Sequence, residues 1–260
     1  MLSYLHSFHA GNLADVHKHS VLAWVLAYLT QKDKPVSYLE THSGRALYAL
    51  DSLDAQKTSE AQAGILRPDV AAWFHADHPY SVGLRAARDH AGAMAYPGSP
   101  WLARALLRAT DRIHLAELHP GEVVRLREVM GSSATVTCED GYHLVNRVCP
   151  PTPRRGLLLV DPSYELKADY DLIPQFMRQI QRKWNVGILM LWYPILRDAR
   201  HVQMTTALLK SDPESRCHEV RFGPARQGHG MIGSGLWMSR QPFGLADELS
   251  RLSDCFAKLQ

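Results

Sequence analysis

Gly156-Leu-Leu-Leu-Val-Asp-Pro-Ser-Tyr-Glu165 is the stretch that decides the fold. Residues 157–160 are aliphatic without alternation, which suits a strand covered on both faces in the middle of a parallel sheet. The run stops at Asp161-Pro162. Proline has no N–H and biases the residue before it toward extended backbone, so the strand must break into a turn there. Ligands of open α/β sheets gather at the carboxyl ends of strands. The turn would present a carboxylate, bare carbonyl groups and the ring of Tyr164 at such an edge.

That trio fits one chemistry well. The exocyclic amino group of a nucleobase is a poor nucleophile because its lone pair is delocalised into the ring. The Asp161 carboxylate and the Pro162 carbonyl could accept its two hydrogens as the nitrogen pyramidalises. Tyr164 could stack on the base, a contact worth about 1–3 kcal/mol. The plainer reading is a strand-ending turn with a core tyrosine. Asp-Pro recurs at Asp212-Pro213 with no aliphatic run before it, so the dipeptide alone decides little.

Working outward, residues 171–183 read as a helix and 186–192 as another buried strand, ending in a turn at Tyr193-Pro194. Residues 216–222 and 232–239 read as two strands joined by a Gly-rich loop, 223–230, close enough for an antiparallel hairpin. A last helix is expected over 245–259. Upstream, residues 36–41 read as the first strand and 113–118 as the next good one. Glu117 lies near the end of the latter, where an acidic side chain can bind ribose hydroxyls. A third strand, 134–138, closes in Glu139-Asp140-Gly141, which is also ordinary turn chemistry. Tyr96-Pro-Gly-Ser-Pro100 reads as a tight turn into a helix over 101–109, with Ser99 placed to cap it or to meet a ligand.

The loop 41–48 sits where a nucleotide-binding fold has its first glycine-rich turn, yet it holds one glycine, Gly44. Residues 53–94 are helix-forming with no strand-like run, so the first two good strands lie some seventy residues apart. The excess suggests a helical insertion subdomain over 53–95, set in a single domain of residues 1–260. A recognition lobe and a decorative surface lobe are equally compatible with that pattern.

The N-terminus is dense in polar rings, and an amphipathic helix is expected from Asn12 to about Thr30. His17-Lys18-His19 after Asp15 invites a metal reading. Residues two apart on a helix point about 200° from each other, however, so the two histidines cannot pinch one ion. The chain has 260 residues, 46% hydrophobic and 21% charged, with a formal net charge of +3. That charge permits a nucleic-acid partner without demanding one. The four cysteines are scattered with no Cys-x-x-C pair, against a zinc cluster or a disulfide framework. No apolar run is long enough for a membrane span and no signal peptide is evident, so a cytoplasmic protein is expected.

Strands alternating with helices and a final antiparallel pair resemble the class I S-adenosylmethionine-dependent methyltransferases, with a Rossmann-like, mostly parallel sheet. The opening Met-Leu-Ser-Tyr-x-His-Ser-Phe-His-Ala-Gly-Asn-x-Ala-Asp-Val-x-Lys-His closely resembles the RlmJ family, which methylates N6 of one adenine in 23S ribosomal RNA. So do Tyr38-Leu-x-Thr-His, Tyr96-Pro-Gly-Ser-Pro100, Glu117-Leu-His-Pro120, Asp140-Gly141 and Leu191-Trp-Tyr-Pro194, in family order over nearly the whole chain. The resemblance implies that S-adenosylmethionine is held by His19, His42, Ser99, Glu117, Asp140, Gly141 and Asp161, with Lys18 nearby. It also implies that Asp161 is catalytic, with Pro162 and Tyr164 in its motif, and that Tyr4 contacts the RNA. No metal is implied, and the product would be S-adenosylhomocysteine.

Two departures stand out. The family motif is Asp-Pro-Pro-Tyr, whereas this chain has Ser163, and Ala46 stands where the resemblance suggests a second glycine. Protein-free 23S RNA is the expected substrate and a monomer the default state. The family's association with the use of external DNA suggests a second reading, and an RNA-binding protein with weak or no catalysis a third.

Overall fold

The computed structural model describes residues 5–222 and 230–259. Tyr4 and most of the Gly-rich loop 223–230 lie outside them.

Seven strands form one sheet: β1 (Ser37–Glu40), β4 (Arg112–Ala116), β5 (Thr135–Thr137), β6 (Gly156–Val160), β7 (Ile188–Leu196), β8 (Arg216–Arg221) and β9 (Met231–Met238). Their order is β5-β4-β1-β6-β7-β9-β8. The first five pair in parallel, while β9 runs antiparallel to both β7 and β8. This is the class I methyltransferase arrangement. From β1 the chain moves outward to β4 and β5, then returns to the other side of β1 as β6. The switch point therefore lies between the carboxyl ends of β1 and β6, where such sheets bind ligands.

The aliphatic run behaves as its composition predicts: all five residues of β6 are buried. Helices α8 (Gly141–Val148), α9 (Asp169–Lys183) and α10 (His201–Ser211) follow strands on the same chain segments that bury Val145, Ile173, Met177, Ile180 and Leu208 against one sheet face. The other face carries α1 (Leu13–Thr30), α6 (Ser99–Leu106), α7 (Pro120–Met130) and α11 (Leu245–Ala257).

Between β1 and β4 lie β2 (Leu47–Ala49), the short helices α2 (Leu53–Thr58), α3 (Glu60–Ala63) and α4 (Pro68–Ala71), then α5 (Pro79–Ala91) and β3 (Ala95–Pro97). β2 and β3 pair antiparallel as a separate two-stranded sheet. Tyr96-Pro97 is thus the end of a strand and not the start of a turn; the turn begins at Gly98.

Two further expectations are corrected. Helix α1 is not amphipathic: Asp15, His17, Lys18, His19 and Ser20 are as buried as Val16, Val21 and Leu22. Its polar residues face the interior because each finds a partner there, which a hydrophobic pattern does not reveal. Nor does β7 turn at Tyr193-Pro194. Pro194 pairs with Ser234 of β9, whereas β6 accompanies β7 only as far as Leu191. Beyond that point one edge of β7 is open, and a proline is tolerated. The hairpin of β8 and β9 forms as expected. Among the described residues no helix is long and apolar enough to cross a membrane.

Candidate active site

Val160 ends β6, and Asp161-Pro162-Ser163 leads into Tyr164, whose φ is +56°. A bulky residue with positive φ is a strained position of the kind that clusters at functional sites. The strain is held by the side chain. The Tyr164 hydroxyl donates to the Trp192 carbonyl at 2.8 Å, and its ring lies 4.8 Å from that of Tyr170. Trp192 donates its indole N–H to Ser234 Oγ at 2.9 Å, so the wall beside the turn is itself fixed.

Asp161 meets α1. Lys18 Nζ donates to Asp161 Oδ2 at 2.6 Å and lies 3.2 Å from Asp15 Oδ1. Lys18 is buried, and the two carboxylates outweigh desolvation and raise its pKa, so it is a cation. Asp15 is anchored by His6 Nε2 and by the Gly11 N–H, both at 2.9 Å; burial pushes its pKa up, but the electrostatic influence of the adjacent His6 and Lys18 outweighs burial and holds it well below the usual range. Asp161 Oδ1 and the Pro162 carbonyl have no partner among the described residues. One carboxylate oxygen is therefore secured, and two acceptors, the other carboxylate oxygen and the Pro162 carbonyl, are left open among the described residues.

The neighbours of Lys18 point elsewhere. His17 bonds Ser234 Oγ and His218 Nδ1, each at 2.9 Å, while His19 Nδ1 bonds the Tyr96 hydroxyl at 2.9 Å. Burial keeps His19 neutral, with its pKa pushed down to about 3. Among the described residues no group of three or more His, Cys, Asp or Glu side chains is placed to hold a metal.

The remaining expected positions lie along the carboxyl edge. His42 follows β1; its Nδ1 is 2.7 Å from Thr41 Oγ1, its ring meets Tyr142 edge-on, and burial lowers its pKa to about 4. Glu117 follows β4 and accepts the Gly44 and His119 N–H groups at 2.8 Å, one on each oxygen. Asp140 caps α8 by accepting the His143 N–H at 3.0 Å. Gly141 packs flush on Thr41, whose carbonyl oxygen a Cβ would strike. Ser99 does not cap α6; Gly98 is the cap residue, and the Ser99 hydroxyl donates to Glu40.

Glu40 was not singled out by the sequence reading. It ends β1, is fully buried, accepts the Tyr38 hydroxyl at 2.9 Å and the Ser99 hydroxyl, and burial pushes its pKa up to about 8. Its one sequence signal was position: an acid at the end of the first strand of an α/β sheet. Asp15 and Trp192 were quoted in motifs but given no site role.

Structure and sequence agree with known proteins. A family model described as ribosomal RNA large subunit methyltransferase D, RlmJ, matches residues 33–259. The chain belongs to this family. It is 36% identical to the ribosomal RNA large subunit methyltransferase J of Escherichia coli strain K12, over 97% of this chain and 91% of that one. The protein of the same name from Haemophilus influenzae is also 36% identical, over 97% and 92% of the two chains. The crystal structure of LPL1258 from Legionella pneumophila superposes with a TM-score of 0.86 at 34% identity, covering 96% of this chain and 94% of that chain.

The family's cofactor class can be tested against the residues present. Among the described residues the buried Ser43 hydroxyl, in the loop after β1, has no hydrogen-bond partner, and neither do the Tyr142 and Tyr170 hydroxyls. Gly141 keeps the entry to α8 flat against Thr41. Glu117 has a spare lone pair on each oxygen for a diol. Such a set fits a nucleoside-bearing ligand lying across the switch point.

Proposed function

We propose that this protein is an S-adenosylmethionine-dependent methyltransferase that modifies N6 of an adenine in 23S ribosomal RNA. The observation that carries the chemistry is the Asp161-Pro162 turn, with Lys18 on one carboxylate oxygen and two acceptors open beside it. The family and the names of the relatives support ribosomal RNA as the substrate.

In this reading His19, His42, Ser99, Glu117, Asp140 and Gly141 hold the cofactor, Glu117 taking the ribose hydroxyls. Bound there, S-adenosylmethionine would supply an electrophilic methyl group, with S-adenosylhomocysteine as the product. The protein supplies the rest. Asp161 Oδ1 and the Pro162 carbonyl accept hydrogen bonds from the two amino hydrogens, which draws the nitrogen lone pair out of conjugation; the methylated nitrogen then sheds one proton to solvent. Acceptors fixed before the reaction stabilise the transition state without reorganising. Lys18 acts through Asp161 and, being buried, is not a grip on RNA.

Tyr164 stacks on the adenine, which must leave its own stack at a cost of a few kcal/mol. Tyr4 and the helices within 53–95, where Arg85, Arg88 and His90 are exposed, contact the RNA. A footprint this local favours protein-free RNA over the assembled subunit, in the cytoplasm, with the enzyme acting as a monomer. The test is transfer of labelled methyl to naked RNA and to intact large subunits from a strain lacking the enzyme, followed by nucleoside analysis, with duplex DNA in parallel. Label in N6-methyladenosine of 23S RNA supports the reading; label in another nucleoside, or in DNA alone, overturns it. Faster turnover on subunits overturns the preference for naked RNA.

A further inference from the structure

The loop after β1 is bent by two left-handed residues, and one of them is not glycine. Gly44 has φ +60° and Ala46 has φ +68°, and Ala46 is fully buried. The Leu47 N–H donates to the Arg45 carbonyl at 2.9 Å, so Ala46 sits at the centre of a γ-turn with positive φ, the rare and strained kind. An L-residue enters the left-handed region about tenfold less readily than glycine, because its Cβ crowds the carbonyl oxygen that follows.

The side chain between the two bends is anchored. Arg45 Nε donates to Glu122 Oε2 at 2.7 Å and Arg45 Nη2 to Glu122 Oε1 at 2.6 Å, a fork onto the first turn of α7. Two parallel bonds fix direction as well as distance, which a single point charge does not. Both side chains are shielded, at 19% and 9% exposure, so the pair is only weakly screened. On the far side of the bend, the Ala46 carbonyl accepts the Gly98 N–H at 2.7 Å.

We propose that the Arg45–Glu122 fork is a positioning clamp that holds the strained turn at Ala46 and so pre-organises the loop that receives S-adenosylmethionine. The clamp rests on the cofactor reading given above. Neither side chain is placed at the reacting atoms. What the clamp steadies is the segment carrying His42, the Ser43 hydroxyl that has no partner among the described residues, and the Gly44 N–H that orients Glu117. Without it the loop leaves this shape, and cofactor binding must restore it. The observed dissociation constant then rises in inverse proportion to the fraction of protein still in the competent shape.

The experiment is a double-mutant cycle on Arg45→Met and Ala46→Gly, with Glu122→Gln as the partner control, read by calorimetric titration with S-adenosylhomocysteine. Arg45→Met and Glu122→Gln should each weaken binding about tenfold, the factor set by the left-handed alanine. In the Ala46→Gly background the Arg45→Met penalty should shrink to less than about threefold, because contacting sites couple. Turnover at saturating cofactor and RNA should stay at the wild-type value in every variant. Glu122→Gln keeps the size of the side chain and carries the test alone if Arg45→Met fails to fold. An equal penalty in both backgrounds, or no penalty, overturns the clamp and leaves the cofactor reading intact. A wild type that binds neither S-adenosylmethionine nor S-adenosylhomocysteine overturns both.

Discussion

Replacing Lys18 by methionine keeps the apolar stem and removes the one ammonium group shared by Asp15 and Asp161. At effective dielectric constants near 20, its attractions at 2.6 and 3.2 Å are each of order 5–6 kcal/mol before desolvation is subtracted. Removing one partner of a buried pair costs about 3–5 kcal/mol, since the other charge stays behind. The lower end applies here, because Asp15 retains His6 and the Gly11 N–H. For a chain of this size each kcal/mol moves the midpoint by roughly 2–4 °C, so a fall of about 6–12 °C is expected. The pH dependence carries the sharper signature. Lys18 has its pKa raised by Asp161 and Asp15, so its contribution is complete below the unfolded value and is lost only as pH rises through the folded one. Asp15 has its pKa lowered, so its contribution is complete above the unfolded value and is lost on acidification. Neither changes between about pH 6 and 8 in the wild type. In the variant the two carboxylates have no shared cation, and uptake of a proton relieves them. Its deficit should therefore narrow on going from pH 8 to pH 5. Thermal unfolding of both proteins across that range is the assay. A fall of less than about 2 °C, or a deficit that does not change with pH, would refute the reasoning.

Asp161→Ala should abolish methyl transfer, whereas Asp161→Asn should retain part of it through the amide oxygen; single-turnover rates near wild type for the alanine variant would sink the assignment. Glu40 has a carboxyl pushed up to about 8 by burial, so its contribution is present below the unfolded value near 4.3 and is lost as pH rises through about 8. Glu40→Gln should therefore gain thermal stability relative to wild type between pH 6 and pH 9, and parallel curves would argue against a titrating Glu40. Ser163 is exposed and its N–H reaches no described backbone carbonyl, so Ser163→Pro should raise stability by about 0.4–1 kcal/mol; a midpoint well below wild type would show that the turn needs serine.

How far the sequence could be read depended on how local each cause was. Residues 157–160 announced a central strand because burial on both faces leaves no position for a polar residue, and Asp161-Pro162 announced its end through the chemistry of proline alone. That Glu117 and Asp140 lie at the carboxyl ends of strands followed once the strands were placed, since a strand's carboxyl end is a short-range property. The misreadings share a different cause. Lys18 and Asp161 lie 143 positions apart, His17 and Ser234 lie 217 apart, and Glu40 and Ser99 lie 59 apart. A buried polar residue satisfied by so distant a partner looks, along the chain, like a solvent-facing one. Pro194 was read as a turn for a related reason: whether a strand edge is open depends on where the neighbouring strand stops.

The same distances say something about how the site is assembled. Successive residues on a helix are turned by about 100°, so His17, Lys18 and His19 sweep 200° of arc and reach three different parts of the fold. His17 meets β9 and β8, Lys18 meets the turn after β6, and His19 meets β3. Side chains so spaced on one rigid helix cannot shift independently. A displacement of α1 that loosened His17 from Ser234 would also move Lys18 relative to Asp161, and Ser234 is the residue that holds the Trp192 indole beside Tyr164. The carboxylate and the aromatic wall of the site are thus positioned by one element, the buried helix near the start of the chain. That gives the polar residues of α1 a reason to lie inside the protein: they key the helix to the turn at Asp161 in a way that aliphatic side chains, lacking direction, could not.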